Sequence, residues 1–362
     1  MTSSDSPGRR IARRPSHRGI VVGANASRRA ACWTACGVAL LIATFTAHPL
    51  GAQGAAVDAQ CRSGTPNERI TQDACQKAID LFNFFAPQLG ATIAGGNAVV
   101  GEHSTLRGLG HFSIGFKANA IESDLPRVDQ RTPATTGVSA SDYSVRKQWL
   151  GAPVVDAAVG IFRGIPFAGT YALGVDALFN VAYIPSVDKS DFALDVPDGS
   201  LKVGYGARIG LLAETFLTPG ISLTWLERDL PTVNIVGRVD SDALNVRRMQ
   251  VQTTAWRVVA GKNLAFVGLA IGGGQDRYDT RARAQVTINR VVPSVTSSEV
   301  TARQELTRNN VFANAALNLP ALRLVLEVGR SSGGTATTYN SFAGHKASDP
   351  RDYASLGLRV NW

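Results

Sequence analysis

Long hydrophobic runs are missing from the body of this chain. After residue 52 no stretch approaches the ~20 consecutive apolar residues of a membrane helix, which excludes a helical membrane bundle. Charge is also scarce: Asp, Glu, Lys and Arg make up 18% of the 362 residues, and methionine occurs only 2 times. Yet 44% of the residues are hydrophobic and 36 are glycine, so apolar side chains are plentiful but finely interspersed. That mixture suits many strands with one apolar face each. G-x-S-x-G, H-E-x-x-H, a spaced carboxylate pair, a phosphate-binding glycine loop, redox cysteine spacing and a nucleotide fingerprint are absent too. On these grounds the chain is expected not to be an enzyme and to need no cofactor or metal.

Positive charge is concentrated at the start. Arg9, Arg10, Arg13, Arg14, Arg18, Arg28 and Arg29 face only Asp5 in opposition, a short apolar run follows from Ala31 to Ala47, and small residues occupy Gly51 to Ala55. That order marks residues 1–52 as a secretory signal peptide. Removing them takes 7 of 37 basic and 1 of 28 acidic residues, which lowers the net charge from +9 to +3. The basic balance belongs largely to export, and no nucleic-acid partner follows from it. Cys32 and Cys36 leave with the signal; Cys61 and Cys75 remain, an even pair expected to form a disulfide in an oxidising compartment.

Periodicity then divides the rest. Ile70, Ala74, Ala78, Phe82 and Phe85 recur at helical spacing, Asp73 lies in the first turn, and Pro87 is expected to stop the helix. With the glycine-rich stretch that follows, residues 53–107 form an N-terminal helical segment, periplasmic or plugging. From 108 to 362 the period is two. Leu201, Val203, Tyr205, Ala207, Ile209 and Leu211 alternate with Lys202, Gly204, Gly206, Arg208 and Gly210, and ten such segments are countable: 108–121, 151–163, 168–184, 200–217, 220–231, 247–260, 263–276, 303–318, 321–331 and 351–362. They are long for a soluble sheet but suit tilted membrane-crossing strands. Short and long connections alternate strictly between them, as in a barrel with turns on one rim and loops on the other. The predicted fold is all-β: a transmembrane antiparallel up-and-down β-barrel of about ten strands (ten to fourteen), with a short N-terminal helical segment. Two loops are expected to form hairpins above the wall, around Ser241-Asp242 and around Pro293-Ser294.

The chain closes on Leu356, Leu358, Val360 and Trp362 in alternation, ending on an aromatic. This resembles the terminal strand of bacterial outer-membrane β-barrel proteins. The resemblance implies location in the bacterial outer membrane, with lipid and lipopolysaccharide as surroundings, the outer-membrane assembly machinery as partner and Trp362 as part of its signal. The helix and glycine-rich stretch resemble the N-terminal hatch of FadL-like hydrophobic-compound transporters. That family has fourteen strands, however, and its Asn-Pro-Ala hatch motif has no clear match at Gly96-Asn97-Ala98.

The inward face carries Lys117, Asp176, Lys202, Arg208, Glu214, Arg323, Glu327 and Arg359, readable either as a pore lining of mixed charge or as internal ion pairs in a narrow barrel, with Asp176–Arg208 the best candidate pair. His103, Ser104, His111, Ser113 and His345 are the candidates for lipid-modifying catalysis, without a placed carboxylate to orient His111. Asp188, Asp191, Asp195 and Asp198 cluster without calcium-loop spacing, and Arg281, Arg283 and Arg290 are placed to meet lipopolysaccharide phosphates. The expected function is a narrow, porin-like passive pore or transporter for small solutes. The alternatives are FadL-like hydrophobic transport, a lipid-modifying enzyme and a purely structural barrel.

Overall fold

Alternating apolar and small residues fold into ten long strands. They are β1 (Phe112–Pro126), β2 (Val145–Phe162), β3 (Gly174–Tyr183), β4 (Leu201–Leu212), β5 (Gly220–Asp229), β6 (Asp242–Leu264), β7 (Val267–Ile288), β8 (Val300–Asn318), β9 (Arg323–Ser332) and β10 (Arg351–Asn361). Each pairs antiparallel with the next. β10 returns to β1 from Ser113↔Asn361 to Ile121↔Tyr353, which closes the ring. This computed structural model describes residues 55–62, 69–128, 132–188, 192–239, 241–289, 291 and 293–362. The expected signal segment, Asp191 and Arg290 lie outside the described residues.

Several boundaries differ from expectation for local backbone reasons. The segment expected at 168–184 breaks at Leu173, whose φ is 58°, and its first residues join a separate small hairpin, Ile165–Phe167 with Thr170–Ala172. The turn expected at 261–263 falls instead after Leu264, where Ala265 takes φ 54°. Around Ser241-Asp242, Val233–Val239 pairs with β6 and carries two further short strands, Phe192–Asp195 and Val187–Asp188, forming a flap. Near Pro293-Ser294, Val295–Thr296 pairs with the end of β7.

The outer face of the ring is apolar in a band. Phe112, Ile114 and Phe116 on β1, Val267, Leu269 and Ile271 on β7, and Leu356 and Leu358 on β10 are all exposed. Phe112 to Glu122 spans about 33 Å along the strand, or roughly 25 Å after a ~40° tilt, the height of a barrel's lipid-facing band. Beyond it the same face turns polar: Arg277 pairs with Glu305 at 2.8 Å and Arg303 with Asp279 at 3.2 Å.

Inside the ring runs one helix, α1 (Arg69–Ala94), 26 residues long and mostly buried. It continues through Pro87, where a stop was expected. A helical proline cannot bond the carbonyl four residues earlier. Here the carbonyl of Asn83 instead accepts from Gln304 Nε2 of β8 at 2.8 Å, so the wall supplies the missing donor. At the long-loop rim, Ile70, Ala74 and Ile79 pack on Ala284, Val286 and Val300. Deeper in, Ala91 and Ala94 meet Val259, Ala270 and Tyr353, and Val100 meets Ala316 and Val325 near the short-turn rim. The Cys61–Cys75 disulfide staples the start of α1.

The chain therefore enters the ring from the long-loop rim, which faces outward in barrels of this kind, and crosses it before β1 begins. A peptide epitope inserted after Ala56 is expected to bind antibody on intact cells. One placed in the Phe216-Leu217 turn should need permeabilisation, and the reverse labelling would invert this orientation.

Candidate binding site

Unequal strand lengths shape the long-loop rim. β3, β4 and β5 have 10, 12 and 10 residues, about the length of one tilted crossing, whereas β2 has 18 and β6 has 23. β3 ends at Tyr183, so its ladder with β2 stops at Val154↔Ala182. Over Val145–Pro153, β2 pairs with β1 alone among the described strands. Pro153, with no N–H to offer a neighbour, stands where that ladder ends. The flap hung on β6 stands across the gap.

This notch opens on a cavity of about 1160 Å³. Phe85, Leu89 and Ile93, four residues apart on one face of α1, line it from below, with Leu150 of β2, Ile184, Leu194 and Ile235 around them. Arg127, Arg146, Gln148 and Arg238 are its polar lining on the loop side. Trp149 pairs in register with Glu122, where the apolar band of β1 ends, and exposed Tyr183 marks the same border on β3. The notch thus starts at the outer edge of the lipid-facing band. An unpaired backbone group in hydrocarbon costs several kcal/mol, so the free edge of β2 requires water or a guest beside it.

Below the cavity the ring is sealed by cations bound to backbone. The last carbonyls of a helix have no helical partner. Here Arg228 Nη1 donates to Ile93 O at 2.8 Å, Arg257 Nη2 to Ala94 O at 2.9 Å and Nε to Gly96 O at 3.1 Å, and Lys117 Nζ to Asn97 O at 3.0 Å. Arg359 Nε follows to Val100 O at 2.9 Å and Arg323 Nη1 to Gly101 O at 2.9 Å. Positive charge also suits the negative end of the helix dipole. Carboxylates balance the cations: Asp276 lies 2.5 Å from Arg257, and Asp156 pairs with Arg359. Glu327 accepts the Asn97 N–H at 3.0 Å. Gly96 has φ 80°, and a Cβ there would strike Glu327 Oε1, so only glycine fits.

Lys117, Asp176, Arg208, Glu327 and Arg359 are thus buried inside the ring, and Arg208 lies 2.7 Å from Asp176, directly opposite it in register. Arg323 lies at the start of β9, 2.8 Å from Glu102. Lys202 is exposed at the start of β4, and Glu214 is in the turn after that strand rather than on the wall. Sequence reading passed over Arg228, Arg257, Asp156 and Asp276, although the same alternation rule places a charge inward between apolar neighbours at Arg257 and Asp156.

Glu214 holds a latch. It accepts from Asn263 N at 2.6 Å and Asn263 Nδ2 at 2.6 Å, and its Oε2 lies 2.8 Å from His103 Nε2. Burial would raise this carboxyl, but the bonds from Asn263 and His103 outweigh it and hold it below the usual range. His345 Nδ1 faces Asp124 at 3.1 Å. Ser104 follows His103 in the inward segment, His111 lies just ahead of β1, and Ser113 accepts from Arg359 at 2.6 Å. Arg281 and Arg283 are engaged by Asp279 and Glu299. Asp188 and Asp195 lie on the flap strands, and no metal-binding group of three acids, histidines or cysteines occurs among the described residues.

No protein-family model and no curated protein matches the sequence. Solved structures do resemble the fold. Ail of Yersinia pestis aligns over 70% of this chain and 99% of its own at 10% identity, TM-score 0.26. The translocator domain of autotransporter NalP from Neisseria meningitidis covers 80% of this chain and 98% of its own at 8% identity, TM-score 0.38. The outer-membrane protease OmpT of Escherichia coli covers 70% of this chain and 96% of its own at 9% identity, TM-score 0.32. The fold is a closed ten-stranded antiparallel β-barrel with an apolar outer band, and these outer-membrane proteins are what it resembles. The expectation of a non-enzyme, drawn from missing motifs, is corrected by the same comparison: a barrel similar to this one is a protease, and absent sequence motifs do not make this fold non-catalytic.

Arg257→Ala is expected to strand Asp276 and release two plug carbonyls, with a loss on the order of 3–5 kcal/mol in unfolding free energy. Arg330→Ala, at an exposed pair, should leave thermal unfolding in detergent unchanged. For the latch, a carboxyl depressed in the folded state stabilises above its unfolded pKa of about 4.3 and less as pH falls through its folded value. Glu214→Gln should abolish that part of the acid dependence.

Proposed function

We propose that this outer-membrane barrel is a transporter that captures a small, largely apolar compound at its outer rim, rather than a standing open pore. The observation that carries the reading is the apolar cavity of about 1160 Å³ behind the notch, with the ring closed beneath it by α1 and its bound cations. Its volume matches the scale of small-molecule sites, and its lining combines an apolar body with a few polar groups, as such sites do. A ten-stranded ring already lies near the size that side chains fill, and a helix ~10 Å across occupies what remains. The lumen-lining role foreseen for Lys117, Asp176, Arg208, Glu327 and Arg359 becomes, in this reading, the holding of a plug.

The reading takes residues 1–52 as a signal removed on export and Trp362, stacked on Phe112 at 4.8 Å, as the group seen by the assembly machinery. The FadL-like alternative shares the cavity but not the architecture, since the plug here enters from the long-loop rim of a ten-strand ring. Release of the compound inward would require the plug to shift at its periplasmic attachments, Glu102–Arg323 and His103–Glu214.

Saturable binding of N-phenylnaphthylamine, a neutral apolar fluorophore, to the refolded protein is the expected result. Ile235→Glu, on the flap and outside the ring, should abolish it while heat-dependent gel mobility is kept. Large steady single-channel currents, or binding indifferent to Ile235→Glu, would sink the proposal.

A further inference from the structure

The cavity is chemically lopsided. Among its lining residues are Arg127, Arg146 and Arg238 but no aspartate or glutamate. Elsewhere in the structure arginines meet carboxylates again and again: Arg208 with Asp176, Arg257 with Asp276, Arg330 with Asp352. Arg228 and Arg308 are bound to backbone carbonyls instead; Arg146 and Arg238 have neither kind of partner among the described residues. Arg146 Nη2 donates to the amide oxygen of Gln148 at 3.1 Å. Both are exposed, Arg146 on the free upper edge of β2 and Arg238 on the flap, so they flank the notch from its two walls. Beneath them the lining is apolar down to Leu89 and Ile93 of α1.

We infer that the ligand is a single-tailed amphiphile with an anionic head, its tail in the cavity and its head between Arg146 and Arg238. This deepens the transport reading and rests on it. Three features favour such an occupant. A guanidinium fork matches carboxylate or phosphate oxygens and is more weakly hydrated than an ammonium, so it gives up its water to an anion readily. The notch opens at the border marked by Trp149 and Tyr183, the depth at which a bilayer-borne amphiphile carries its head. A cavity of about 1160 Å³ is on the scale of small-molecule sites and too small for the several chains of a lipopolysaccharide. The free edge of β2 then gains a guest that excludes lipid from its unpaired backbone groups.

Protein in phosphatidylcholine nanodiscs, with N-phenylnaphthylamine as reporter, is to be titrated with palmitate, hexadecanol and cetyltrimethylammonium. Palmitate should displace the reporter about tenfold or more tightly than hexadecanol, the scale of one charge-assisted hydrogen bond, and cetyltrimethylammonium should be weakest. Arg146→Gln combined with Arg238→Gln should bring palmitate down to the level of hexadecanol and leave hexadecanol unchanged, with reporter binding showing that the variant is folded. Equal competition by palmitate and hexadecanol, or a double variant that changes neither, would overturn the anionic-head inference while leaving the apolar cavity intact. Failure of the reporter itself to bind would instead remove the transport reading. Displacement by phosphatidylglycerol nanodiscs as effective as by palmitate would assign the site to a two-tailed bilayer lipid and overturn the single-tailed ligand.

Discussion

A helix that ends inside a protein leaves carbonyls with no partner along its own axis, and no bulk water reaches them here. Everything within this ring follows from how that deficit is met. Arg228, Arg257 and Lys117 reach from β5, β6 and β1 to the carbonyls of Ile93, Ala94, Gly96 and Asn97. The cations must themselves be neutralised, so Asp276, Asp156 and Glu327 are buried beside them. Plug and wall are therefore mutually dependent: removing the helix would leave several unpaired charges facing an empty lumen, and removing one arginine leaves both a carbonyl and a carboxylate unsatisfied. The acidic side chains near the start of α1 extend the same logic to the outer loops. Asp73 accepts the Ala134 and Ser139 N–H groups, and Asp80 accepts those of Tyr339 and Asn340.

The cavity arises from a different constraint, the arithmetic of strand length. A ring needs each strand to cross the band, and nothing requires strands to continue equally far beyond it. Where β2 and β6 rise past β3, β4 and β5, the ladder has an edge, and an edge at the border of hydrocarbon has to be covered or wetted. The flap covers part of it. What stays open is lined by apolar residues of a helix whose opposite face is locked to the wall. The plug thus both closes the passage below and forms the floor of the compartment above. In the proposed transport reading, binding and permeation are coupled through one element.

The class was readable in the chain because a strand's period of two survives any detail of packing. Ten segments, the strict alternation of short and long connections and the terminal Leu356–Trp362 run all follow from having lipid on one side and protein on the other. The misplacements come from contacts invisible at that level. Pro87 ought to end a helix, and does not, because Gln304, more than two hundred residues away, bonds the carbonyl it strands. Leu173 breaks a run that looks continuous. Inward charges on β1, β3 and β4 were legible by parity, and so in principle were Arg257 and Asp156; what no parity rule contains is that their partners are the backbone of a plug.

Sequence alone therefore decided the period, the number of strands, which face of each meets lipid and which cysteines can pair, since these depend on neighbours one or two positions apart or on composition. Only the tertiary structure decided that the helix threads the ring from the long-loop side, that Arg146 and Arg238 stand on opposite walls of one notch, and that β3 stops short of β2. Those facts depend on where segments far apart in the chain end relative to one another, and a local pattern carries no measure of that.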